Sequence, residues 1–202
     1  MSICLVLPLK SLRDGKTRLA GVLETSERAA LISGLLEHVL DQAAQFPGLE
    51  QTILVSACAE ARACAARYGT RVLEEKVPGL NPALEQARIT ARAAGATKML
   101  VAPCDLPLLT ADDLRCLAAA ASLQAIAIAA DRAGTGTNGL CLPASAHFEF
   151  AFGVESYVRH RMAVERLGLR IATVERPGLA FDVDTPEDLQ RLRSLESVFR
   201  AP

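Results

Sequence analysis

The feature that most constrains this chain is an alternation of two hydrophobic patterns. Short apolar runs without internal polar spacing stand at Ile3 to Leu7, Thr52 to Val55, Arg71 to Leu73, Lys98 to Ala102 and Ala125 to Ala129. Runs of that kind suit strands covered on both faces. Between them, Ser26 to Ala44 places Leu31, Leu35, Val39 and Leu40 at helical spacing. Ala59 to Arg67 and Pro82 to Ala94 are rich in alanine, the strongest helix former. Strand and helix in succession predict an α/β fold with a mostly parallel sheet flanked by helices.

The chain has 202 residues, half of them apolar. That length matches one domain over 1–202, burying roughly 70% of its unfolded surface. Beyond residue 130 the pattern changes. DRAGTGTNGL is turn-rich, and the stretch to residue 185 carries one helix (Glu155 to Leu167), a strand (Arg170 to Val174) and several loops. With no internal repeat or linker, this second half is expected to cover the open end of the sheet. Helix starts are marked by Thr25 or Ser26, by Asn81 ahead of Pro82, and by Thr110 with Asp113 three residues on.

A net charge of -1 excludes a general attraction to nucleic acid or to an anionic membrane. No apolar run approaches the ~20 residues of a membrane span. The first lysines follow the first apolar run, the reverse of signal-peptide order, so a cytoplasmic protein is expected. Cys4, Cys58, Cys64, Cys104, Cys116 and Cys141 form no C-x-x-C pair. They read as reduced, mostly buried thiols rather than a zinc site or a disulfide framework.

On this near-neutral background the segment LPLKSLRDGKTRL stands out, with Lys10, Arg13, Lys16 and Arg18 against the single acid Asp14. It follows the first strand, and ligands of open α/β sheets bind outside the carboxyl ends of the strands. Its amides and cations suit a polyphosphate, and Gly15 allows close approach of the chain. A solvated basic surface is the alternative. The P-loop and dinucleotide patterns are both absent.

Three further constellations could join it. Asp105, in Pro-Cys-Asp-Leu-Pro at the end of a strand, is placed as a magnesium ligand is in sites shared with phosphates. In GLAFDVDTPEDL, an extended Phe181 to Asp184 turns Asp182 and Asp184 to one face. Two such charges repel unless a cation lies between them. Thr185, Pro186 and Asp188 read as a helix cap, first residue and capping partner, with Glu187 also at the helix start. Thr137 and Asn138 are expected in a turn between Gly136 and Gly139, and Gly153 to Ser156 open a helix suited to a second anion. Glu155 opposes an anion there, and His160, the one histidine nearby, reads more readily as structural.

Taken together and in order, L-P-L-K-x5-K-T-R-L, E-R-A-A-L at Glu27 to Leu31, G-L-N-P-A-L at Gly79 to Leu84, P-C-D-L-P at Pro103 to Pro107, T-N-G-L at Thr137 to Leu140, F-G-V-E-S at Phe152 to Ser156 and D-V-D-T-P-E-D-L at Asp182 to Leu189 resemble a known family. It is the phospholactate guanylyltransferase family of deazaflavin coenzyme biosynthesis, in the nucleotide-diphospho-sugar transferase superfamily. The resemblance covers nearly the whole chain and implies a Rossmann-like, GT-A type fold. It implies an enzyme joining GTP to 2-phospho-L-lactate, phosphoenolpyruvate or 3-phospho-D-glycerate, with pyrophosphate released and Mg2+ as cofactor. A phosphate monoester is already anionic near neutral pH, so no general base is required.

By the same resemblance Lys10, Lys16 and Arg18 hold the GTP phosphates, Leu7 and the loop backbone lie near the base, and Asn81 lines the nucleoside site. Asp105, Asp182 and Asp184 carry magnesium, Lys16 and Asp105 are catalytic, and Thr137, Gly153 and Ser156 receive the phospho-acid. Arg13 is left to the surface. Cys104 and Tyr157 depart from the family pattern, which leaves the identity of the acid open. The other reading, a molybdopterin guanylyltransferase or a sugar-phosphate cytidylyltransferase, would carry a glycine-rich first loop that this chain lacks. A non-catalytic anion-binding domain would not need three aspartates. The expected partners are GTP and a small phospho-acid, without nucleic acid or membrane, and both a homodimer and hand-over of product to a downstream transferase stay open.

Overall fold

The computed structural model describes residues 2–12 and 15–199, so the reading of Arg13 lies outside the described residues. Strands β1 (Ile3–Pro8), β2 (Thr52–Ser56), β3 (Arg71–Glu74), β4 (Lys98–Val101), β5 (Ala125–Ala130), β6 (Thr137–Pro143) and β7 (Arg170–Thr173) form one sheet in the order β3-β2-β1-β4-β6-β5-β7. All pairings are parallel except those of β6, which runs antiparallel to β4 and β5. Helices α1 (Thr25–Gln45), α2 (Ala59–Arg67), α3 (Leu80–Ala93), α4 (Ala111–Ala120), α5 (Ser156–Arg166), α6 (Pro177–Ala180) and α7 (Pro186–Phe199) complete the described residues, with two short 3-10 turns.

The apolar runs are buried on both faces, as their lack of polar alternation requires. On β1, Leu5 and Leu7 pack with Leu36 and Leu40 of α1 and Leu114 of α4, while Val6 between them packs with Leu84 of α3 and Val164 of α5. A third cluster joins Leu19 and Leu23, after the basic loop, to Phe181, Val183, Leu189 and Leu192. That cluster fixes the first loop against the segment carrying Asp182 and Asp184.

Strand β6 corrects the sequence reading. Thr137 and Asn138 begin a fully buried strand and do not form a turn. The glycine that suggested the turn has another purpose, because a Cβ on Gly139 would stand 2.8 Å from a Leu117 methyl and 3.1 Å from Ala129 Cβ. Close packing of α4 on the sheet therefore selects glycine there.

Two helix starts also differ from expectation. Helix α1 begins at Thr25 behind Glu24, whose N–H is received by Glu27 Oε2 at 2.7 Å, so neither Thr25 nor Ser26 is the cap. Helix α3 begins at Leu80 behind Gly79, at φ 124°, and Asn81 is released for a tertiary contact. The other two caps form as expected, with Thr110 and Asp113 bonded reciprocally, and Thr185 and Asp188 likewise. Of the six free cysteines, Cys58 is half-buried, Cys116 exposed and the rest buried. No helix among the described residues is long and apolar enough to cross a membrane.

Candidate active site

The sheet order reverses at β1, whose neighbours are β2 on one side and β4 on the other. Ligand crevices in α/β sheets form at such a switch point. Here the carboxyl ends of β1 to β4 open on a cavity of about 750 Å³, whose wall includes Lys10, Lys16, Glu75, Cys104, Asp105 and Asp184.

Lys16 is the centre of this arrangement. Its backbone adopts the left-handed conformation (φ 51°, ψ 46°) at the entry to the 3-10 turn Thr17–Leu19, which costs a non-glycine residue on the order of 1 kcal/mol. Its Nζ lies 3.0 Å from Asp105 Oδ2 and 3.0 Å from Asp184 Oδ1, with 8% of the side chain exposed. Burial disfavours the ammonium, but the charges and hydrogen bonds of Asp105 and Asp184 outweigh it and hold the lysine above its ordinary pKa.

The three aspartates converge because the Val183 N–H donates to Asp105 O at 3.2 Å. Phe181 and Val183 are buried and Asp182 and Asp184 half-buried, with Asp184 on the cavity wall against Lys16 and Asp182 off that wall against Asn138. Burial raises the Asp182 pKa, an Asn138 Nδ2 donor at 3.1 Å opposes the shift, and the charges of Asp105 and Asp184 add to it. Asp188 is structural as expected. Burial works against its ionisation, but hydrogen bonds from Thr185 and Asp184 N–H, with Arg132 at 2.7 Å, hold it below the usual carboxylate range.

Among the described residues no three His, Cys, Asp or Glu side chains form a ready metal cage. Asp105 and Asp184 instead share the Lys16 ammonium. The donor set nevertheless fits a hard cation. Its oxygens are carboxylate oxygens, and Asp105 Oδ1 is buried without a hydrogen-bond partner.

The residues expected to receive the phospho-acid form a separate group off the cavity wall. The Thr137 hydroxyl lies 3.0 Å from His160 Nδ1, and Ser156 Oγ donates to it at 3.3 Å. All three residues are buried. His160 Nε2 accepts the Ala151 N–H at 2.9 Å, which assigns the ring proton to Nδ1 and makes the imidazole a donor to Thr137. Burial, with the nearby Arg159 charge, pushes His160 down to a pKa of about 4. Gly153 is exposed, at φ 120°.

Asn81 neither caps its helix nor lines the cavity. Its Oδ1 accepts the Phe152 N–H at 2.8 Å and its Nδ2 donates to the Phe152 carbonyl at 3.2 Å, tying α3 to the segment before α5. The Leu7 side chain lies in the core, and Arg18 is exposed outside the wall. Cys104 lines the cavity, its thiol pushed up by burial and further by Asp105. Tyr157 packs beneath the Arg161 guanidinium, away from that wall. Glu75 and Asn138 are the site neighbours to which sequence reasoning gave no role.

Residues 3–194 match the family model described as "Guanylyl transferase CofC like". The chain belongs to this family. A phosphoenolpyruvate guanylyltransferase from Sphaerobacter thermophilus is 38% identical over 192 residues, which span 95% of this chain and 93% of that relative. Among solved structures, a nucleotidyl transferase from Methanothermobacter thermautotroptrophicus superposes with a TM-score of 0.67 at 20% identity, covering 97% of this chain and 99% of its own. Glucosyl-3-phosphoglycerate synthase from Mycobacterium tuberculosis, in complex with Mg2+ and uridine-diphosphate, gives 0.63 at 17% identity over 98% of this chain and 76% of that one. The CofC-like chain thus has the Rossmann-like fold of the nucleotide-diphospho-sugar transferases, as its motifs implied.

Proposed function

We propose that this protein transfers the guanylyl group of GTP to a phosphorylated three-carbon acid in the biosynthesis of a deazaflavin coenzyme. The observation that carries the reading is Lys16, held at the cavity wall between Asp105 and Asp184 in a family of guanylyl transferases. A phosphate oxygen of the acid attacks the α-phosphorus of GTP, the bond from that phosphorus to the β-phosphate bridge breaks, and pyrophosphate leaves. The attacking phosphate is already anionic near neutral pH, so the site needs no base. The buried, neutral His160 is consistent with that.

Lys10 and Lys16 line the cavity where the triphosphate would lie, and Arg18 would have to reach in from outside its wall. Asp105, Asp182 and Asp184 are the residues that would hold Mg2+. When bound there, the ion neutralises charge on the phosphate oxygens. On the α5 side the acid would meet the exposed Gly153, with the buried Thr137 and Ser156 holding the backbone behind it. Phosphoenolpyruvate is the first acid to try, because the curated relatives bear its name.

The deciding experiment incubates the protein with GTP, Mg2+ and each of phosphoenolpyruvate, 2-phospho-L-lactate and 3-phospho-D-glycerate in turn. Pyrophosphate release with one acid is expected. Release with none of them, or a preference for CTP or UTP over GTP, would overturn the reading.

A further inference from the structure

We infer that Glu75 reads the guanine base, accepting its N1–H and 2-amino hydrogens on the carboxylate. The inference rests on the reading that GTP occupies the cavity, and it names a residue for the base. Three acids line that cavity, and two of them, Asp105 and Asp184, hold Lys16. Glu75 is the third. It sits just past the end of β3, three strands from β4 and Asp105, so roughly 14 Å of sheet separates it from the phosphate end at the usual inter-strand spacing. A nucleotide lying along the strand ends places its triphosphate by Lys16 and its base toward Glu75. The same wall carries apolar surface from Pro8, Val55, Pro78, Leu80 and Ala83, on which a flat ring can rest.

The carboxylate is pre-positioned. The Glu75 N–H continues the ladder to Ser56 O at 3.3 Å. On either side of it the chain is gripped by one side chain, since Gln86 of α3 accepts the Lys76 N–H at 3.1 Å and donates to the Glu74 carbonyl at 2.7 Å. Glu75 Oε1 accepts the Gly79 N–H, and among the described residues no cation pairs with the carboxylate. A half-buried anion fixed at its backbone and one oxygen presents acceptors to the cavity and no donors.

That pattern suits guanine and rejects the other bases. Guanine offers two adjacent donors, and a carboxylate accepts both. Adenine and cytosine present a ring-nitrogen acceptor at the corresponding edge, and uracil presents one donor between two carbonyls. Inosine keeps N1–H but lacks the 2-amino group, so ITP removes a single hydrogen bond from the proposed pair.

The test compares GTP with ITP in the full-length protein, first as wild type and then as Glu75→Ala and Glu75→Gln, by kcat/KM for pyrophosphate release and by nucleotide binding without acid. Wild type is expected to prefer GTP on the order of 10- to 100-fold, the usual worth of one hydrogen bond to a charged group. Glu75→Ala should bring the ratio close to one, and Glu75→Gln should lower it less, since its amide keeps one acceptor oxygen. Glu75 also receives the Gly79 N–H, so a merely structural role would lower both nucleotides together and leave the ratio intact. An unchanged ratio in the variants, or a wild type indifferent between GTP and ITP, overturns the assignment. If Glu75→Ala does not fold, the Glu75→Gln ratio decides. A wild type that prefers CTP or UTP overturns the guanylyl-transfer reading itself, which is a different outcome from a GTP enzyme that ignores Glu75.

Discussion

The cavity under β1 to β4 and the buried group between β6 and α5 use polar side chains in opposite ways. At the cavity, Lys16, Asp105 and Asp184 share charge, and Asp105 Oδ1 is left buried and unpaired. Between β6 and α5, Thr137, Ser156 and His160 are neutral and bonded to one another with little exposure. A buried charge needs a counter-charge, and an oxygen without a donor costs free energy until a ligand meets it. Neutral hydroxyls and an imidazole can satisfy each other and disappear into the core. The first region is therefore poised for a ligand, while the second is complete and acts by holding backbone in place.

The largest expected effect breaks the first region. Asp105→Asn should lower pyrophosphate release on the order of 10³-fold, because an amide cannot supply the anionic oxygen. Its unfolding temperature should fall modestly, since Oδ1 has no partner to lose but the buried Lys16 ammonium gives up one of its two anionic partners and keeps Asp184. Turnover near wild type would mean that the unpaired oxygen is a packing accident. Next in size, Lys16→Ala should raise the KM for GTP on the order of 100-fold by deleting a charged donor, and that for the acid much less. Steady-state kinetics with each substrate varied would check this, and the reverse split would exchange the two sub-sites.

The charged region was the more legible in sequence. Charges are conspicuous on a near-neutral chain, and Asp105, Asp184 and Lys16 meet at the cavity wall, with Asp182 beside them on Asn138. What sequence could not give was the direction of each side chain. Arg18 is as basic as Lys16 but points outside the cavity wall, because Leu19 beside it anchors the turn to Phe181 and Val183. Glu75 carried no reading from the sequence, and only the fold puts it on the cavity wall with Gln86 gripping the chain on either side of it. The neutral region was read less well. Asn-Gly signals a turn, and nothing local reveals that Gly139 serves the packing of α4, so β6 was missed and the bond from Asn138 to Asp182 with it.

His160 sharpens the comparison through pH. The imidazole of the unfolded chain takes a proton near pH 6.5, while the folded one resists until about 4. The unfolded state therefore binds more protons in that window. The contribution is intact above about pH 6.5 and drains as the pH falls toward about 4, by up to roughly 3 kcal/mol. Urea unfolding at pH 7 and at pH 4.5 should show this loss in wild type and a shallower one in His160→Gln. Equal slopes would mean that the ring is hydrated or already charged in the native state.

Asn81 offers the smallest and most discriminating effect, because resemblance and geometry assign it differently. Resemblance places it at the nucleoside, whereas the structure uses both ends of its amide on Phe152, next to Gly153. Phe152 is half-buried, so water can replace part of what Asn81→Ala removes, and a stability loss of about 1 to 2 kcal/mol is expected. The kinetic split then separates the roles. If Asn81 acts by fixing the segment that leads into α5, the KM for the acid rises severalfold while that for GTP holds. If the GTP value moves instead, the nucleoside lies closer to the start of α3 than the cavity wall indicates, and the division between a charged nucleotide side and a neutral acid side fails at this residue. Asn81→Asp refines the result, since a carboxylate still accepts the Phe152 N–H but cannot donate to its carbonyl, and half of the acid-side effect should return.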